Sequence, residues 1–445
     1  MISRRRLLAL GGAGLAAATG GRLLQAGLAP ESAQTSTPLP TPGDWPAVRR
    51  EFAFAEAAAP KIPLNAANLT PPLRRVQQAY AEASARLAAD VSFHHRALFL
   101  QTELARLRGL LAQHLGLADG RDVALVRNTS EANATVVNGF DFAPDDEVVL
   151  WDHNHHTNNR SWGYRRARRP FVCKVVQLPE QPRSEQELIE PFLAALTPRT
   201  RVVSFSELSN ISGLRLPAAA LCKAIHAARP EVFVHVDGAQ TWGATALDLR
   251  AMDCDSYSSS AHKWLMGPRE LGILYLRPER AGELQPHTVG YDYEFNYPEA
   301  GLPAGAARFE CLGQRNDALF PALSAALEFH LALGPATVEA RIHELGKSLR
   351  QQLRAAGFEL RTPEDERFAL GISVIKIPEP AKAVAAFRNL YEQHGLYAAY
   401  VHDNHVLCDV PVPVEGEPAL AIRLCSHVYN SALDLASAAS ALRGS

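Results

Sequence analysis

Cysteine is scarce and scattered. The six in 445 residues (Cys173, Cys222, Cys254, Cys311, Cys408 and Cys425) form no CxxC pair and follow no metal-ligand spacing, which argues against a disulfide framework. An excess of either charge is also missing. With 45 Lys and Arg against 47 Asp and Glu, the formal net charge of −2 makes no overall electrostatic case for nucleic acid or an anionic membrane. The local run Arg165–Arg169, "RRARR", reads either as a solvated helix face or as a hold for a phosphate or other anion. Long apolar runs are wanting too, since Leu7 to about Ala18 is too short and too Gly-rich for a membrane span. No internal repeat appears. What remains is an ordinary soluble composition, 47% hydrophobic and 21% charged, on a chain long enough for two or three folding units.

The start, "MISRRRLLALGGAGLAAATGG", sets Arg4–Arg6 before that short apolar run. Such an order reads as an export signal. The "SRRRLL" segment resembles the twin-arginine type, whose machinery carries folded, cofactor-loaded proteins, so a periplasmic or extracellular location is expected. No clean cleavage site precedes the Pro/Thr/Ser-rich stretch "PESAQTSTPLPTPGDWP". The expected organisation is a signal over 1–29, a linker over 30–46, a large domain over 47–320 and a small domain over 321–445.

Beyond the linker, apolar runs alternate with helical patterns. Asp122–Val126, Glu147–Trp151, Arg201–Ser206, Glu231–Asp237 and Leu271–Leu276 read as strands, and Pro217–Pro230 as one of the helices between them. This alternation predicts an α/β fold with a largely parallel sheet covered on both faces. From about Pro321 the texture turns to long Ala/Leu/Arg-rich helices, which predicts a smaller α+β domain. Ligands in such folds gather at the carboxyl ends of the strands.

Polar residues collect at those ends. Asp237 closes an apolar strand, where a carboxylate needs a partner: a nearby Arg, the cap of the next helix, or a ligand cation. In "RNTSEAN", Asn128 and Glu131 are spaced as a capping box, and Thr129 and Ser130 offer hydroxyls at a helix N-terminus, a phosphate site if a ligand is present. "WDHNHHTNNRSW" carries His153, His155 and His156; adjacent histidines chelate one ion poorly, whereas a flat imidazole can stack on a ring. Asn210 in "SELSNISG" serves either a turn or a ligand oxygen. The Ser-rich "SYSSSAHKWLMGP" has the composition of a loop, yet it sets Ser260, His262 and Lys263 before the sharp turn Gly267-Pro268. Taken in order, these groups match pyridoxal 5'-phosphate. Its phosphate needs hydroxyls, its ring a stacking partner, its phenolic oxygen amide donors, its ring nitrogen a carboxylate, and its aldehyde a lysine.

On these motifs the chain, from about Lys61 to the end, resembles the class V aminotransferase superfamily of fold-type I pyridoxal phosphate enzymes. It is most similar to the isopenicillin N epimerase-like and group II cysteine desulfurase-like branch. The resemblance implies a large domain with a mostly parallel seven-stranded sheet between helices and a smaller α+β C-terminal domain. It implies that Lys263 in "SSAHKW" binds the cofactor aldehyde, that Ser260, His262, Thr129 and Ser130 contact the phosphate, and that Asp237 in "VDGAQ" pairs with the ring nitrogen. Gln240 and Asn210 then approach the phenolic oxygen, His155 stacks on the ring, and Arg423 in "IRLCSHVYN" clamps the α-carboxylate of an amino substrate, Asn210 lying beside it. A homodimer is implied as well. Gln314 stands where relatives commonly supply a Thr to the partner subunit's phosphate, and His95 and Arg96 resemble a substrate-side pair from the neighbouring subunit.

Three functions follow. The first is an exported enzyme acting at the α-carbon of an amino acid or peptide-derived metabolite, by epimerisation, transamination, oxidative deamination or decarboxylation. The second is a desulfurase or carbon–sulfur lyase with Cys408 as sulfur acceptor, although its flanks lack the "RTGHHC" pattern. The third is a pyridoxal phosphate-binding protein without turnover.

Overall fold

Runs of four to seven residues, buried on both faces, form the centre of the fold in the computed structural model, which describes residues 38–290, 305–377, 379–401 and 421–443. The expected signal, the first part of the linker (30–37) and Cys408 lie outside the described residues, as do most of the substrate-lining stretches around Tyr291–Gly305 and Tyr397–Pro413.

The strands in chain order are β1 (Ile62–Pro63), β2 (Val123–Val126), β3 (Glu147–Trp151), β4 (Val172–Val176), β5 (Thr200–Ser206), β6 (Phe233–Asp237), β7 (Ser256–Ser260), β8 (Gly272–Leu276), β9 (Ile372–Lys376), β10 (Leu396–Tyr397), β11 (Ala399–Val401) and β12 (Ala421–Cys425). Seven of them make one sheet in the order β2-β8-β7-β6-β5-β3-β4. Only β8 runs against its neighbours, β2 and β7; the other pairings are parallel. The α/β fold with a mostly parallel sheet is therefore as expected.

Alternation along each strand supplies both covered faces. Val123 and Leu125, Val149 and Trp151, and Ile273 and Tyr275 join one apolar cluster. Ala124 and Val126, Val148 and Leu150, and Leu274 and Leu276 join the other. The helices are α1 (Trp45–Arg50), α2 (Arg74–Ala89), α3 (Phe93–Leu115), α4 (Thr129–Gly139), α5 (His156–Arg168), α6 (Gln186–Ala195), α7 (Ala218–Ala228), α8 (Leu249–Met252), α9 (Leu319–Leu333), α10 (Pro335–Ala355), α11 (Pro380–Glu392) and α12 (Ala432–Arg443). No single helix among the described residues is long and apolar enough to cross a membrane.

Three details depart from composition. The Ser-rich segment is not a loop but the fully buried strand β7. Its hydroxyls are all engaged: Ser256 with His235, Ser258 with Asn133, Ser259 with the Gly238 carbonyl and Ser260 with Thr129, which removes the cost of burying them. Strand β4 carries Lys174 amid partly exposed residues, and so lacks the apolar run that marks the others. Helix α9, which begins at the expected domain boundary, packs Leu323, Leu327 and Phe329 into the main core. The change of core falls inside α10, whose Val338 and Ile342 face the main cluster while Leu345, Leu349 and Leu353 join a second one with Ile375, Ile422 and Leu424. There, β11, β12 and β9 form an antiparallel sheet.

One buried carboxylate ties three strands at the end of the sheet away from the site. Glu147, 1% exposed, accepts hydrogen bonds from Lys174 Nζ at 2.7 Å, Thr197 Oγ1 at 2.6 Å and Thr200 Oγ1 at 3.2 Å. Burial pushes its carboxyl up, but these donors outweigh burial and hold it down at about 2. A depressed carboxyl stabilises the fold above the ordinary carboxylate range and ceases to do so as pH falls through the folded value. Glu147→Gln is therefore expected to unfold at lower urea concentration than the wild type at pH 7, with the gap narrowing between about pH 4.5 and about 2. Urea titrations across that range measure it.

Candidate active site

The carboxyl ends of β2, β3, β5, β6 and β7 lie on one side of the sheet, and Lys263 stands in the turn that follows β7 there. The chain leaves β7 and turns back at once, Gly267 N–H donating to the Ala261 carbonyl at 2.8 Å and Met266 adopting φ 57°. Thr70 clamps this turn from another segment, its hydroxyl donating to the carbonyls of His262 and Lys263 at 3.1 and 2.5 Å. On the other side His427 stacks on Trp264 at 5.3 Å and donates from Nε2 to the Trp264 carbonyl at 3.0 Å. The backbone is thus fixed while the half-buried amine makes no hydrogen bond or ion pair among the described residues. Burial lowers the Lys263 ammonium to about 8; Arg423 adds to the shift and Asp237 opposes it.

Asp237, 3% exposed, ends β6. Its Oδ1 accepts the Ala239 N–H at 3.0 Å, and its Oδ2 accepts Asn133 Nδ2 at 2.9 Å and Asn158 Nδ2 at 3.5 Å. Among the described residues no arginine pairs with it. Burial raises its carboxyl, and the three donors and the Lys263 charge work in the opposite direction. Gly238, next along, packs where a Cβ would lie 1.8 Å from the Tyr257 ring, so only glycine lets this turn follow the aspartate.

The phosphate-side groups also meet. Asn128 caps α4, accepting the Glu131 N–H at 3.0 Å. Thr129 reaches across to Ser260, with 2.7 Å from its N–H and 2.6 Å between the hydroxyls. Ser130 is exposed beside them in the first helical turn. Burial foremost, then Lys263 and Arg269, lowers the His262 imidazole to about 4, so at neutral pH it acts as an uncharged hydrogen-bonding group.

His155 caps α5. Its Nδ1 accepts the Thr157 N–H at 3.3 Å, which places the ring proton on Nε2, and its ring stacks on His156 at 4.3 Å. Burial and then the charges of Lys263, His156, Arg423 and Arg160 hold it well below the usual imidazole value. Arg423, 6% exposed on β12, donates to the Asn210 carbonyl at 3.0 Å and to Asn65 Oδ1 at 3.1 Å, with its Nε buried and unpartnered. Asn210 thus meets this arginine through its backbone. Gln240 is partly committed: its amide donates to the Ala67 carbonyl at 3.0 Å and accepts Trp264 Nε1 at 2.8 Å, leaving one N–H free.

Gln314 and Arg96 meet each other elsewhere, Arg96 also pairing with Asp317 at 2.8 Å; they lie on an exposed edge with His95 on the same helix, α3. Residue order did not single out Thr70, Asn65, Asn133 and Asn158. Asn133 lies one helical turn beyond Thr129, a spacing that places both on one face of α4 and is the signal that was available.

The groups fit pyridoxal 5'-phosphate on observations of the cleft itself. An unpaired amine of lowered basicity faces a buried carboxylate, and buried polar atoms without partners remain around it at Asn158 Oδ1, Ser206 Oγ and Arg423 Nε. Among the described residues no three metal-ligating side chains converge.

Comparisons with known proteins agree with this arrangement. The family model "Aminotransferase class-V" matches residues 64–379. The chain is 31% identical over 350 residues to isopenicillin N epimerase of Streptomyces clavuligerus, covering 76% of this chain and 83% of the relative. It is 30% identical over 246 residues to a cysteine desulfurase of Dickeya dadantii, covering 53% and 57%. Among solved structures, C-DES with glycine covalently linked to its PLP cofactor superposes with a TM-score of 0.77 at 21% identity, over 89% of this chain and 98% of that chain. At that identity the superposition speaks for the fold.

An amine attacks an aldehyde only when neutral. Because Lys263 is lowered from 10.5 to about 8, the rate at which apoprotein captures pyridoxal phosphate is expected to climb with pH and level off above about 8. Stopped-flow absorbance across pH 6–10 reads this rate, and Lys263→Ala should show no covalent phase.

Proposed function

The chain belongs to the aminotransferase class-V family, and from that premise we propose a pyridoxal 5'-phosphate enzyme that moves the α-proton of an amino acid or peptide-derived amino compound, of the epimerase type. The observation that carries the reading is the unpaired Lys263 amine between buried Asp237 and the substrate-side guanidinium of Arg423. Bound there, the cofactor supplies an electron sink that acidifies the substrate's α-carbon.

The chain's own residues do the rest. Thr129, Ser130, Ser260 and the N-terminal amides of α4 hold the phosphate, with His262 as a neutral donor. Asp237 keeps a proton on the ring nitrogen, and the His155 ring covers the ring face. Arg423 orients the substrate carboxylate with a planar fork of donors. Lys263 Nζ, about half neutral near pH 8, takes the α-proton as general base. Inversion of the centre would draw the returning proton from the face opposite Lys263.

The cysteine desulfurase relative supports a second reading, with Cys408 as sulfur acceptor. The described cysteine nearest the lysine, Cys425, is buried, and burial pushes its thiol up, so it is a poor nucleophile. We also propose export through the twin-arginine route, on the Arg4–Arg6 segment, and pairing of two copies. The turn between α2 and α3 supports pairing by exposing Val91 at 77% and Phe93 at 84% beside the Arg96–Gln314 edge.

Incubation with candidate amino acids in heavy water should give deuterium at the α-carbon by NMR, with none from Lys263→Ala. Arg423→Ala should raise KM about 30-fold or more, the cost of losing a charge-assisted pair of about 2 kcal/mol. Sulfide release from cysteine that Cys408→Ala abolishes, without α-deuteration, would instead establish the desulfurase.

A further inference from the structure

Behind Asp237 lies a chain of buried polar groups that the functional reading does not use. Asn133 on α4 donates from Nδ2 to Asp237 Oδ2 at 2.9 Å. Its Oδ1 lies 2.6 Å from Ser258 Oγ and 3.0 Å from His235 Nε2, and His235 Nδ1 lies 2.7 Å from Ser256 Oγ. All of them are buried, from Asn133 and Asp237 at 2% and 3% to His235, Ser256 and Ser258 at 0%.

With the Asn133 N–H toward Asp237, the remaining proton positions in this chain follow. A carboxamide oxygen only accepts, so Ser258 O–H and His235 Nε2–H both donate to Asn133. Turning the amide over would press its oxygen against Asp237 whenever that carboxyl is ionised, so an anionic Asp237 favours this orientation. His235 therefore carries its proton on Nε2 and accepts at Nδ1 from the Ser256 hydroxyl. Burial holds this imidazole down at about 3, so it stays neutral and the direction does not reverse at physiological pH. Every donor points the same way, toward Asp237. Two donors on Oδ1 polarise the Asn133 amide and strengthen its N–H as a donor.

Among the described residues, the charged and titratable groups acting on Asp237 include Lys263 from the turn after β7 and Tyr257 on β7. The lysine amine is consumed when the cofactor binds. The Asn133 chain then acts with the Ala239 N–H and Asn158 in keeping this carboxylate ionised.

Resting on the functional reading above, we propose that Asn133, polarised by Ser258 and His235, is a positioning residue that holds Asp237 as an anion and so keeps the cofactor's ring nitrogen protonated across the working pH range. The strength of the electron sink is thereby set one layer behind the residue that touches the ring.

The test uses holoenzyme carrying pyridoxal phosphate labelled with nitrogen-15 in the ring, whose chemical shift reports protonation of that nitrogen, titrated from pH 6 to 10. Asn133→Leu keeps the side-chain volume and removes the donor to Asp237 Oδ2. Ser258→Ala removes one polarising donor and leaves no buried donor stranded. The wild type should hold the pyridinium shift to the top of the range. Asn133→Leu should lose it at a pH at least about one unit lower, a tenfold change in the equilibrium, and Ser258→Ala should move the same way by less. Titration curves of both variants that superpose on the wild type, with full cofactor occupancy and unchanged melting temperature, overturn the proposal. Wild-type protein that binds no cofactor overturns the functional reading instead, and does so before any variant is compared.

Discussion

A carboxylate inside a protein must be compensated, and here the compensation consists of amides and not of a cation. Asp237 is closed in by the Ala239 N–H, Asn133 and Asn158, while Lys263, the positive charge acting on it, is a weakened base that makes no hydrogen bond or ion pair among the described residues. An arginine partner would have satisfied Asp237 and silenced it. Amide donors leave the charge available to a ligand cation, and the surrounding cleft is arranged to bring one.

The fold serves that arrangement through strand ends. Asp237, Ser260 and the segments carrying Thr129, His155 and Asn210 leave one sheet on the same side because the strands preceding them run in parallel. The second sheet contributes Arg423 from β12, and its backbone contact with Asn210 joins the two bodies at the substrate side. Helix α10 runs through both apolar clusters, so the carboxylate clamp and the lysine turn are held by one continuous scaffold.

The strands of the central sheet were largely legible, because apolar runs bounded by turns have no competing explanation. Strand β4 escaped, since Lys174 interrupts it for the sake of Glu147. The Ser-rich strand β7 hid behind a loop-like composition; nothing local announces that its hydroxyls find partners on β6 and α4. The residues that would touch the cofactor declared themselves by order along the chain, and the structure brings Lys263, Asp237, Thr129, Ser260, His155 and Arg423 around one cleft. Asn133 and Asn158 did not, because an asparagine in a helix reads as a solvent-facing residue until its partner, distant in sequence, is known. Gln314 and Arg96 lie on an exposed edge, where single-chain geometry gives them no cleft to serve.

Reduction of the cofactor-loaded protein with borohydride, followed by proteolysis and mass mapping, addresses the central claim most directly. The account predicts a single pyridoxyl adduct on the peptide containing "SSAHKW", at Lys263. An unmodified Lys263 peptide, or the adduct at another lysine, would contradict it.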